Sequence, residues 1–178
     1  RYKPIAIYHH GTHTDNCWHS GMIERVRDFL KVIHDQGLPA GLGTHIPEVV
    51  QYAEENNWEV DFYMCCFYNL ARGYKSAPAT DQDAYAKDRF PEEDPLRMTE
   101  VIRSVSKPCI AFKVMAASRN CSTPESTRQA LRFAFENIKP TDIVDVGMFQ
   151  KYKNQVRENA QIVRELLLNP NKPSDNPA

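Results

Sequence analysis

The sequence predicts an α/β fold with a parallel sheet, and three observations predict it. Apolar runs of strand length alternate with segments of helical periodicity, the runs carry almost no charge, and turn residues close most of them. Residues 4–9 read as a short buried strand, and residues 11–16, rich in Gly, Thr, His and Asn, as a polar loop after it. Met22, Ile23, Val26, Phe29, Leu30 and Ile33 then recur at helical spacing, which draws one apolar stripe down a helix that Gly37 stops. Residues 38–44 are the next strand. Pro47-Glu48 opens another helix, with Thr44 as its cap and Val49, Val50 and Ala53 facing the core.

Residues 60–67 bear no charge after Asp61, the pattern of a strand covered on both faces as in a parallel sheet. Residues 71–95 lack apolar periodicity and predict a long loop. A helix over 96–105 and a strand over 109–116 follow, and Thr123-Pro124-Glu125 starts a helix with proline at its first position. Residues 143–148 are the last strand. Val156, Ala160, Val163, Leu166 and Leu167 form the apolar face of the last helix, and 169–178 is a polar, proline-rich tail. Five such strands alternating with helices imply right-handed crossovers, and suit an open doubly wound sheet or most of a barrel equally well. The chain has no GxxxxGK[ST] loop and no GxGxxG turn, which weakens the open dinucleotide-binding alternative.

Composition sets further bounds. At 178 residues, with 42% hydrophobic and 25% charged, the chain can bury a sizeable core. A formal net charge of -1 offers no clustered basic surface, so a nucleic-acid partner is not expected. Five cysteines, with Cys65-Cys66 inside an apolar run, read as free buried thiols rather than a disulfide framework. No apolar stretch reaches the roughly 18 residues of a membrane span, so no membrane partner is expected and a cytoplasmic location is the default. Arg1 leads straight into a strand, which implies a missing N-terminus and leaves export open.

Four motifs, in order, favour the barrel. Gly41-Leu42-Gly43-Thr44-His45-Ile46-Pro47-Glu48 resembles the G-[VL]-S-N-[HF]-x-P-E signature after the fifth strand of the aldo-keto reductases. The run from Val60 through Phe67-Tyr68-Asn69-Leu70 resembles their sixth strand, which ends in Q-x-x-Y-N-L. Gln129-Ala130-Leu131-Arg132-Phe133-Ala134-Phe135, followed by Val144-Asp145-Val146-Gly147-Met148, resembles the family's last helix-strand pair. Gln155-Val156-Arg157-Glu158-Asn159 is similar to the opening of its final helix. Together these cover nearly all of residues 4–168, and imply that 1–168 is the C-terminal part of a (β/α)8 TIM barrel, from the fourth strand to the eighth.

The resemblance implies a divergent oxidoreductase that reduces a small carbonyl substrate with NADP or NAD. His9 then occupies the position of the active-site histidine, and the Asp, Tyr and Lys that act with it in the family belong to strands before Arg1. Thr44, Glu158 and Asn159 are the implied cofactor-binding residues. The sequence departs from the family where nicotinamide is held: Gly43, Thr44 and Cys65 stand where Ser, Asn and Gln are usual. No glycine turn follows the seventh strand either, although Arg119 could meet a phosphate.

Because barrel strands end on one face, His9, His10, Thr44, His45, Cys65 and Lys113 are expected to converge at one mouth. His45 could instead only satisfy backbone groups at a helix start. Lys113, set in an apolar strand, suits a Schiff base or a pairing with a carboxylate. The segment from His9 to His19 is rich in metal-ligand types, but its spacing matches no standard zinc site, and no metal residues are assigned. Metal-assisted or Schiff-base chemistry, or ligand binding without catalysis, stay open beside reduction.

Overall fold

Strands that follow one another in parallel need crossovers, and here the crossovers are helices. The computed structural model describes residues 3–72 and 90–168. In chain order the elements are β1 (Ile7–His9), α1 (Gly11–His19), α2 (Glu24–His34), β2 (Ala40–Thr44), α3 (Pro47–Glu55), β3 (Phe62–Cys66), α4 (Asp94–Ser104), β4 (Cys109–Phe112), α5 (Pro124–Asn137), β5 (Ile143–Asp145) and α6 (Gln155–Leu168). The five strands form one sheet in the order β1-β2-β3-β4-β5, every pair parallel. A doubly wound sheet reverses its strand order at a switch point, whereas this sheet advances in sequence, as part of a barrel does.

Strand parity sorts the side chains onto two unlike faces. Ala40, Leu42, Tyr63, Cys65, Cys109 and Ala111 are completely buried and join Val26, Leu30, Val50, Ile102 and Leu131 of the helices in one core. On the other face Tyr8 is 39% and Ile143 is 55% exposed, while Phe62, Met64, Ile110 and Phe112 are only half-buried. The sequence pattern predicted β3 covered on both faces. Among the described residues only one face is covered, because the large apolar residues of the other face have no helix above them. Gly41 makes room there for the Phe62 ring, which lies on its backbone: a Cβ would stand 2.3 Å from that ring and push it aside.

Three local expectations are corrected. Residues 11–16 are not a loop but the start of α1, whose buried residues Gly11, Thr14 and Asp15 repeat at helical spacing without being apolar. The strand expected to run to residue 116 stops at Phe112, because Lys113 takes a left-handed φ of 59° that no strand accommodates. Ile46, not Thr44, is the N-cap of α3, and the Thr44 hydroxyl accepts the Ile46 N–H at 3.0 Å. Of the loop expected over 71–95, residues 73–89 lie outside the described residues, as does the tail 169–178. No helix among the described residues is long and apolar enough to cross a membrane.

Candidate functional site

The site begins with two glycines. A Cβ on Gly11 would stand 3.2 Å from His45 Cε1 and 3.4 Å from Thr44 Cα, and one on Gly43 would stand 3.1 Å from Gly11 N. Their bare backbones let the first turn of α1 settle on the end of β2. Asp15, one turn further along α1, is thereby carried to the strand end, where it is 3% exposed.

A buried carboxylate needs partners, and Asp15 has three. The Thr44 hydroxyl donates to Oδ1 at 2.6 Å, the His45 backbone N–H donates to the same oxygen at 3.3 Å, and His45 Nδ1 meets Oδ2 at 2.6 Å. A carboxylate accepts only, so Nδ1 carries the proton of this bond and Nε2 is left as the free ring nitrogen. Among the described residues Nε2 has no hydrogen-bond partner, and the ring, edge-on to Phe112 at 5.9 Å, forms part of a cavity wall.

That cavity, about 440 Å³, opens at the carboxyl ends of the strands. Tyr8, His10, Asp15, Asn16, His19, His45, Lys113 and Asp145 supply its polar wall, and Met64, Leu70 and Phe112 its apolar one. Its size and mixed lining suit a small polar molecule.

His9 lies elsewhere. Tyr8 and His10, its neighbours, line the cavity, but strand parity turns His9 to the helix side, edge-on to Phe29 of α2 at 5.1 Å. Its Nδ1 shares a 2.8 Å hydrogen bond with Thr14, and half-burial, followed by the nearby His13 and His10, holds its pKa below the usual imidazole value. The structure therefore does not bring His9 together with the other groups expected at the mouth. Thr44 ends β2 but is not part of the cavity wall, and its hydroxyl is spent on Asp15 and Ile46.

Glu158 and Asn159 are brought together, in a second cleft of about 330 Å³ between the end of β5 and the helices α5 and α6. Glu158 pairs there with Lys153 at 2.7 Å, and Arg128 pairs with Glu165 in the same cleft. Cys65 and Cys66 are completely buried, outside the cavity wall, and their thiols stay protonated: Cys65 is pushed up by its hydrogen bond to Cys109 and by burial, Cys66 by burial to about 12. Arg119, expected to be able to meet a phosphate, instead donates to the Ala116 and Ala117 carbonyls and stacks 4.1 Å from the centre of the Phe90 ring.

The groups at the positions implied for a nicotinamide carboxamide do not fit it. Gly43 has no side chain, the Thr44 hydroxyl is already bonded in both directions, and Cys65 is buried on the helix side of the sheet. No group of three or more His, Cys, Asp and Glu side chains among the described residues is arranged to hold a metal ion.

Asp15 escaped the sequence reading because it sits in a polar helix that hydrophobic periodicity cannot register. Its signal is Gly11 four residues before it and Gly43-Thr44-His45 at a strand end: small residues on both elements, next to an acid and an imidazole. Comparison with family models, curated proteins and solved structures returns no match.

Proposed function

We propose that this protein is an enzyme of acid–base type, in which His45 transfers a proton to or from a small carbonyl compound held in the mouth cavity. The observation that carries the proposal is the buried Asp15 carboxylate bonded to both Thr44 and His45. A histidine that only filled space would not need an acid buried beside its ring, since the desolvation of that acid has to be offset by the bonds it makes.

Asp15 fixes the tautomer and the ring plane, Thr44 fixes Asp15, and Nε2 takes or returns the proton. Phe112 stands edge-on to the ring at 5.9 Å, and Met64 lines the same cavity. Positioned proton transfer of this kind contributes about 10²- to 10⁴-fold to a rate. The test needs no cofactor: the protein is incubated in D2O with simple ketones and keto acids, and deuterium entering the carbon next to the carbonyl is followed by NMR. Exchange above background that His45→Asn abolishes supports the assignment. Exchange that the variant retains in full refutes it.

A second function, reduction of a carbonyl by a nicotinamide cofactor as in the aldo-keto reductases, is favoured by one observation. Glu158 and Asn159, which the resemblance ties to adenosine, share one cleft. NADPH titrated against protein fluorescence tests it. Quenching that Asn159→Ala weakens would support dinucleotide binding, and no quenching at millimolar cofactor would count against it.

A further inference from the structure

Lys113 stands at the end of β4 with its backbone in the left-handed region, φ 59°. Ala116, Ala117 and Ser118 follow with φ of 48°, 50° and 80°. None is glycine, and strain of this kind persists only where the surroundings hold it. Here the turn is held by three backbone bonds, from Ala116 N–H to Lys113 O at 2.9 Å, Asn120 N–H to Met115 O at 3.2 Å and Arg119 N–H to Ala116 O at 3.3 Å. The Arg119 guanidinium bonds the Ala116 carbonyl again and that of Ala117, and is itself pinned on Phe90. A relaxed extended residue at 113 would continue the strand. The left-handed one ends it and leaves the lysine at the wall of the mouth cavity, opposite the α1 side of the site.

The ammonium group has no ion-pair partner among the described residues. Asp145, which faces Phe112 across the β4–β5 ladder, lines the same cavity without closing a salt bridge to it. The other acid in the wall, Asp15, is spent on Thr44 and His45. Arg119, the nearby cation in sequence, is spent on its own turn. Lys113 is thus the fixed cation that the cavity offers to a ligand, with the imidazoles of His10 and His19 in the same wall.

We propose that Lys113 binds the anionic group of the substrate, so that the mouth takes small carbonyl compounds bearing a carboxylate or a phosphate. The assignment of a substrate rests on the mouth being the active site; the anion site itself does not. A lysine acts as a point charge toward such oxygens and tolerates either group. No Schiff base is invoked, and no bond is made or broken at Lys113.

The experiment is calorimetric titration of the protein with oxalate and with inorganic phosphate, repeated with saturating NADPH. The expected result is saturable binding of both, weakened about tenfold or more by Lys113→Gln, kept within about threefold by Lys113→Arg, and unchanged by NADPH. The titration reads the anion site without turnover, and deuterium exchange measured separately on the wild type reads the catalytic assignment, so the failure of one is distinguishable from the failure of the other. Binding that Lys113→Gln leaves unaltered, or no binding at millimolar anion, overturns the proposal. Displacement of oxalate by NADPH also overturns it, by giving the site to the cofactor's phosphates.

Discussion

The mouth cavity and the cleft beside α6 are similar in size and both rich in charge, but their charges are used differently. In the cleft, Lys153 meets Glu158 and Arg128 meets Glu165, pairs at a partly exposed surface where water competes for every partner. At the mouth, Asp15 is 3% exposed, its bonds run to groups that are themselves buried, and one imidazole nitrogen is left over. A cleft whose charges neutralise one another has little charge to bring to a reaction. An acid buried at a cost and bonded to a titratable ring does, because the ring is then held in one tautomer at a cavity wall.

The largest effect expected to break this contrast is at Asp15. Asp15→Ala strands the Thr44 hydroxyl and the His45 ring in a buried site, and should lower deuterium exchange by about 10²- to 10⁴-fold while destabilising the fold by about 1–3 kcal/mol. Exchange assays paired with urea denaturation read both. Gly11→Ala comes next: its Cβ would enter the 3.2 Å space beside His45 Cε1, and the displaced ring should lose about tenfold in rate with little change in substrate affinity.

His9 sharpens the comparison from outside both sites. Its pKa lies below 6.5 in the fold, so the unfolded chain takes up the proton first as the pH falls. The stability this group supports is complete above pH 6.5 and is lost as the pH falls toward the folded value. His9→Gln should therefore flatten the acid side of the stability curve in denaturant titrations, and leave exchange unchanged. The smallest effect is in the cleft, where Glu158→Ala, which removes one surface pair, should shift stability by no more than about 0.5 kcal/mol and leave proton transfer intact.

The strands and most helices were legible because their signal is apolar and periodic. The stripe of Val26, Leu30 and Ile33 lies buried in α2, and the charge-poor run after Asp61 became β3. What the sequence hid follows from the same rule. The inward face of α1 is Gly11, Thr14 and Asp15, so the helix read as a loop. The left-handed turn at Lys113 is built without glycine, so the strand was expected to run too far. The mouth residues depended on parity in β1, which has only three residues, and a shift of one turns His10 and Tyr8 inward and His9 outward. His45 was legible as a candidate, but its partner, thirty residues away in sequence, was not.

Proton transfer at the mouth depends on Asp15 holding His45 by Nδ1. NMR of the ¹⁵N-labelled imidazole side chains measures this directly, since the two ring nitrogens shift differently when they carry the proton. The expected result is that the neutral form of the ring carries its proton at Nδ1, held by Asp15, and that Asp15→Ala loses that preference. A His45 protonated at Nε2, or one whose tautomer is indifferent to the removal of Asp15, would contradict it.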